Sequence, residues 1–70
     1  MYCVICIDLE SKTYRISVTG LKGNEADWIV SSRNRDLGPN LLHIKCRNAP
    51  ECIQEAVEEI GDFSLVEKFQ

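Results

Sequence analysis

Hydrophobic and polar positions alternate through much of the chain, which is typical of β-strands. Residues 2–9 are almost continuously apolar and rich in β-branched side chains, so they predict a central strand. Residues 13–19 alternate regularly after a short turn, and the two segments together predict a hairpin. Residues 41–47 alternate again and predict another strand. The side chains expected to face the core are Cys3, Ile5, Ile7, Leu9, Tyr14, Ile16, Val18, Leu42, Ile44 and Cys46.

The clearest helix signal lies at residues 48–61, where apolar side chains recur at three- and four-residue spacing. Asn48 is the predicted N-cap, Pro50 fits the first turn, and Gly61 is expected to end the helix in a left-handed conformation. A helix of about twelve residues is marginal in water, so its apolar stripe must pack on a sheet. The stripe consists of Ile53, Ala56, Val57 and Ile60.

Residues 25–33 fit two structures. A helix capped by Asn24 and Asp27 would carry Ala26, Ile29 and Val30 on one face, whereas residues 27–32 read as a strand give a third β-element. We favour the strand, because Trp, Ile and Val favour strands and two consecutive serines are poor in a helix interior.

On that choice residues 32–40 become a long irregular loop, and residues 63–69 predict a closing strand. The expected fold is then a single α+β domain over residues 1–70, with element order ββ(β)βαβ. It is a two-layer domain: a mainly antiparallel sheet of four or five strands, covered on one face by one C-terminal helix.

A single helix leaves the second face of such a sheet exposed. That face would combine polar side chains with apolar ones and so have the character of an interface. We therefore expect self-association, as a homodimer, through this face or through a sheet edge. The residues expected at the interface are Tyr2, Val4, Leu41 and Val66.

The run NAPECIQEAVEEIG, which follows a predicted strand, resembles the strand-and-helix unit of many small bacterial domains, including the partial domain of HicB-type antitoxins. The resemblance covers about a fifth of the chain. Residues 13–19 lack the glycine-rich, aromatic second strand of that family, and no functional residue is carried over from it.

Charge is unevenly distributed along the chain. The net charge is −3, but residues 1–47 hold seven Lys and Arg against five acids, while residues 48–70 hold one Lys against six acids. This overall acidity argues against non-specific nucleic-acid binding. No apolar run is long enough to span a membrane, and the N-terminus does not resemble a signal peptide, so we expect a cytoplasmic protein with reduced thiols.

Basic residues supply the main candidate for ligand binding. Arg33 and Arg35 lie in the predicted loop, where with Asn34 they would suit a phosphate or carboxylate group. The alternative is a solvated loop in which Asp36 neutralises one arginine. His43, on the outward side of its strand, is interpreted as an exposed surface histidine. The full candidate set for a protein, nucleotide or nucleic-acid ligand is Arg15, Arg33, Arg35, His43, Lys45 and Arg47.

The four cysteines, at positions 3, 6, 46 and 52, with His43 nearby, could in principle supply a tetrahedral zinc site. Positions 3 and 6 of a strand point to opposite faces, so buried, inert thiols are the preferred interpretation. Cys52 lies near a helix N-terminus, where a thiol pKa is lowered, and is the candidate for a reactive thiol.

The sequence thus predicts a non-enzymatic interaction or adaptor module without metal or cofactor. Nucleotide or nucleic-acid binding is the alternative, and a zinc or thiol-redox protein is a third hypothesis.

Overall fold

A computed structural model describes residues 1–36, 38 and 40–66. Four strands form one mixed sheet in the order β3-β1-β2-β4, in which β1 is antiparallel to both neighbours and β4 is parallel to β2. The elements in chain order are β1 (Tyr2–Asp8), β2 (Thr13–Leu21), α1 (Gly23–Asp36), β3 (Leu41–Arg47), α2 (Pro50–Ile60) and β4 (Ser64–Leu65). The α+β class is confirmed, whereas the predicted element order and the single helix are wrong.

The predicted third strand at residues 27–32 belongs to α1 instead. The Glu25 carboxylate accepts a hydrogen bond from the Lys22 amide at 2.8 Å, as in a capping box, and the Ala26 amide donates to the Lys22 carbonyl at 3.0 Å. Ala26 is fully buried against the sheet. Packing of the helical apolar stripe thus outweighs the local β-preference of Trp28 and its neighbours.

The two helices lie on opposite faces of the sheet. We call the face that carries Cys3, Ile5 and Ile7 the α2 face, because Ile53 and Val57 of α2 pack on it. The opposite face carries Val4 and Cys6 and is called the α1 face. The predicted two-layer arrangement is therefore replaced by three layers.

The order of the strands explains this placement. The chain crosses the sheet in one direction from β2 through α1 to β3, and returns in the other direction from β3 through α2 to β4. Connections of the same hand that run in opposite directions place their helices on opposite faces.

The core on the α2 face agrees with most of the sequence pattern. Cys3, Ile5, Ile7, Ile53 and Val57 are buried as predicted. Three other predicted core residues, Leu9, Ile16 and Ile60, do not follow. Leu9, directly after β1, is 37% exposed.

Ile16 is 41% exposed and Ile60 is 38% exposed. α2 packs on the β3 side of the sheet, so it leaves the β2 side of the same face uncovered. Val18 is absent from the α2 face for another reason. The irregular pairing of β1 with β2 sets Val18 opposite Val4, on the α1 face.

The ends of α2 differ from the prediction in detail. Ala49, not Asn48, is the N-cap, and no side chain caps the helix. The Asn48 amide instead donates to the Met1 carbonyl at 3.1 Å, continuing the pairing of β3 with β1. Gly61 does follow the last helical residue, but its φ of 166° is extended, not left-handed.

The predicted loop and closing strand also change. Residues 32–36 are helical, and Leu37 and Pro39 lie outside the described residues. β4 comprises only Ser64–Leu65. Phe63 and Val66 of the predicted strand lie outside β4, and residues 67–69 are likewise outside the described residues.

Candidate functional site

The expected sheet-face interface is covered by α1. Val4 is fully buried, and Tyr2 is half-buried beside Gly23 of α1. Leu41 and Val66 keep partial exposure, but they lie at the end of the sheet away from Tyr2. The interface role predicted for Val4 is therefore wrong, and the four residues do not form one continuous surface.

The predicted basic residues separate into groups. Lys45 forms an ion pair with Asp27 at 3.0 Å, and its Nζ lies 4.7 Å from the centroid of the Tyr2 ring. Arg33, at the end of α1, donates a hydrogen bond to the Ser17 hydroxyl at 2.7 Å. Because Arg33 belongs to a helix, the predicted arginine loop is wrong. The contacts of Lys45 and Arg33 join α1 to the sheet.

Arg15 and Arg33 are the basic residues that the structure brings close to His43. Cys6 of β1 is paired with Arg15 on one side and with His43 on the other, so the three share a row across the α1 face. Arg35 and Arg47 are exposed outside this row.

His43 is buried, which corrects the interpretation of it as a surface histidine. The side chain is 5% exposed, and its Nδ1 has no hydrogen-bond partner among the described residues. Burial lowers the pKa of His43 below its usual value of 6.5, and the charges of Arg33 and Arg15 lower it further. The imidazole is therefore neutral near neutral pH, and its buried Nδ1 is not placed to act on a ligand.

Asn34 protects the outer edge of β3. Its side-chain amide donates to the His43 carbonyl at 2.9 Å, while its side-chain oxygen accepts from the His43 amide at 2.8 Å. The side chain thus pairs with the strand as a neighbouring strand would. Such coverage of an edge opposes pairing with a second chain.

The cysteines divide between the two faces. Cys3 and Cys46 are paired across β1 and β3 with their Sγ atoms 3.7 Å apart, whereas Cys6 points to the α1 face. The pKa of the Cys46 thiol is raised to about 12 by burial and by its contact with Cys3. In the described part of the chain, no group of three or more His, Cys, Asp or Glu side chains is arranged to hold a metal ion.

A concave groove lies along α2, and we call it the α2 groove. It lies between α2 and the uncovered β2–β4 side of the sheet, with a volume of about 430 Å³. Ile16 and Leu65, at 41% and 50% exposure, lie in it beside half-buried Tyr14 and Phe63. Volumes of a few hundred Å³ with a mainly apolar lining are typical of binding sites.

The far wall of the α2 groove is polar and acidic. Gln54, Glu58 and Asp62 follow one another at four-residue spacing along that wall, and Gln54 donates to the Glu58 carboxylate at 3.3 Å. At the end of the groove, the extended Gly61 lets the Phe63 ring approach closely. A Cβ at position 61 would lie 2.9 Å from Cε1 of Phe63.

The sequence did not identify the α2 groove. Alternation correctly put Tyr14 and Ile16 on the same face as the helix, but nothing in the pattern shows which strands a short helix covers. The size of the predicted elements could have indicated the groove, because one helix of eleven residues cannot cover four strands.

No family model, curated protein or solved structure matches the chain significantly. The resemblance to HicB-type antitoxins therefore has no family match behind it. Within the described residues, no helix is both long and apolar enough to cross a membrane.

Proposed function

We propose that this protein is a non-catalytic protein-binding module whose binding site is the α2 groove. The occupant would be an amphipathic helical segment of a partner protein, with one apolar face bordered by Lys and Arg. The observation that carries the proposal is the exposure of Ile16 and Leu65 inside a concave, mainly apolar groove.

The shape of the groove favours an elongated segment. Its lining extends from Asn48 and Pro50 at one end of α2 to Asp62 and Phe63 at the other. Eleven helical residues span roughly 16 Å, which matches two to three turns of a partner helix. Helix-in-groove binding uses apolar anchors at i, i+3, i+4 and i+7.

Charge favours a basic partner. Glu58 and Asp62 line the groove, and the C-terminal part of the chain is the acidic part. Complementary charge steers encounter and excludes acidic competitors, while the apolar contacts supply most of the affinity.

Self-association is less well supported than partner binding. α1 covers the face through which a homodimer was expected, and Asn34 blocks the centre of the β3 edge. A second copy would have to bind at the α2 groove itself. Two acidic α2 surfaces would then approach each other, at an electrostatic cost.

The proposal can be tested with a fluorescein-labelled peptide of leucine and lysine, patterned as an amphipathic helix. We expect saturable binding, measured by fluorescence anisotropy, for this peptide. A scrambled peptide of the same composition and a leucine–glutamate peptide of the same pattern should bind at least about tenfold more weakly, a difference of about 1.4 kcal/mol.

Leu65→Asp separates groove binding from simple charge attraction. It removes an apolar contact but adds a negative charge, so it weakens binding only if the groove receives the leucines. Trp28→Asp is the matched control, because Trp28 is 72% exposed on α1, outside the groove. Equal or tighter binding by Leu65→Asp would refute the groove as the site.

Phosphate or nucleotide binding is the second candidate, favoured by one observation: Arg15 and Arg33 both lie close enough to His43 to lower its pKa. Guanidinium groups bind phosphate oxygens through charge-assisted hydrogen bonds. Salt-sensitive binding of a nucleotide that disappears in the Arg15→Ala/Arg33→Ala variant would support this function. Binding unaffected by that double substitution would reject it.

A further inference from the structure

Cys3 and Cys46 occupy directly opposed positions on β1 and β3. Their side chains share the α2 face, and their sulfur atoms are 3.7 Å apart. A disulfide requires about 2.05 Å between sulfurs and Cα atoms about 4.4–6.8 Å apart. Opposed residues of antiparallel strands lie about 4.5–5.5 Å apart at Cα, so only a small side-chain rotation separates the thiols from a bond.

The fold makes this pair distinct from the other cysteines. Cys6 lies on the α1 face, on the other side of the sheet from Cys3 and Cys46. Cys52 lies on α2, close enough to Cys46 for its charge to raise the pKa of Cys46. No strand pairing holds Cys52 opposite Cys46.

We propose that Cys3 and Cys46 are a site of reversible oxidation, forming a cross-strand disulfide that ties β3 to β1. The oxidant would be a small disulfide of the glutathione type. Cys46 is the entry point, because it keeps partial exposure whereas Cys3 is fully buried.

The reaction proceeds in two exchanges. The Cys46 thiol loses its proton to solvent, and the thiolate attacks one sulfur of the oxidant and expels one glutathione thiolate. The Cys3 thiolate, after losing its own proton, then attacks Cys46 Sγ and expels the second glutathione thiolate. Two protein thiols are oxidised to one disulfide, and the small disulfide is reduced to two thiols that take up the two protons.

The environment makes this oxidation slow near neutral pH. The pKa of Cys46, raised to about 12, leaves few thiolates available, and the thiolate is the reacting species. The rate should therefore keep rising with pH through about pH 10, beyond the point at which an ordinary thiol of pKa about 8.5 levels off. The pair would form the disulfide under sustained exposure to the oxidant and remain reduced after a brief exposure.

The bond would close the chain between residues 3 and 46, a long loop that includes β2 and α1. Cross-links that close long loops restrict the unfolded chain most strongly. We expect oxidation to raise the Tm by about 10 °C or more.

The test is incubation of the protein with oxidised glutathione at several pH values, followed by alkylation of free thiols and mass mapping. We expect loss of two hydrogens from the intact protein, a Cys3–Cys46 cross-linked peptide, and a higher Tm that dithiothreitol reverses. Cys6→Ser and Cys52→Ser, which leave the pair intact, should both still form the Cys3–Cys46 cross-link.

Cys3→Ser provides the decisive variant. It should stop the reaction at a mixed disulfide between glutathione and Cys46, which shows that Cys3 is the resolving thiol. In the wild-type protein, a cross-link that includes Cys52, or a product that remains glutathionylated at Cys46, would overturn the proposal.

Discussion

At the scale of single residues, the most informative side chain is His43. Sequence alternation correctly placed it on the face opposite Ile44, but exposure depends on what covers that face. Once α1 is present, the imidazole lies beneath it at 5% exposure, beside two arginines. The direction of a strand side chain can be read from the sequence, whereas its burial depends on an element distant in the chain.

The lowered pKa of His43 predicts a pH dependence of stability. A histidine whose folded pKa lies below its unfolded value disfavours folding when it is protonated. The free energy of unfolding should be constant above about pH 6.5 and fall as pH decreases from there towards the folded pKa.

Urea unfolding between about pH 7.5 and about pH 5.5 measures this effect. The His43→Gln variant is the control, and it should lose less stability over that interval than the wild-type protein. Identical pH slopes for the two proteins would show that His43 does not titrate differently in the folded state.

At the scale of elements, α2 and β3 follow from the sequence and α1 does not. The apolar stripe of α2 and the alternation of residues 41–47 have a single interpretation, and the structure confirms both elements. Residues 25–33 fit helix and strand alike. Local preference favoured the strand, but the Glu25 cap and the burial of Ala26 decide for the helix.

The packing of α2 is tested by a matched pair of substitutions. Ile53→Ala should lower the free energy of unfolding by about 2–4 kcal/mol, because Ile53 is 7% exposed in the core. Ile60→Ala should cost about 1 kcal/mol or less, since Ile60 is 38% exposed. Chemical denaturation measures both, and equal losses would mean that α2 is rotated relative to the described position.

The role of Asn34 as an edge cover is tested by Asn34→Ala. The substitution removes two hydrogen bonds to the His43 backbone, so it should cost about 1–3 kcal/mol in urea unfolding. Arg35→Ala, at the next and exposed position of α1, is the control and should cost about 0.5 kcal/mol or less.

Asn34→Ala also exposes backbone groups at the β3 edge. Light scattering should therefore show a tendency to associate in this variant that is absent from Arg35→Ala. Unchanged stability together with unchanged molar mass would contradict the edge-covering role.

At the scale of the whole molecule, the covering of the sheet determines which part of its surface stays open. The sequence predicted one covered face and one free face. The structure instead covers the α1 face and leaves half of the α2 face open, beside Ile16 and Leu65. The candidate site in the structure lies on the opposite side of the sheet from the predicted one. The difference arises from α1, a helix that local residue preferences did not predict.

The measurement that tests the α2 groove most directly is a titration of ¹⁵N-labelled protein with the leucine–lysine peptide, followed by amide chemical shifts. We expect the largest shift changes at Tyr14, Ile16, Gln54, Glu58 and Leu65, with little change at Trp28 or Asn34. Shift changes confined to α1, or spread evenly over acidic residues throughout the protein, would contradict the assignment of the groove as the binding site.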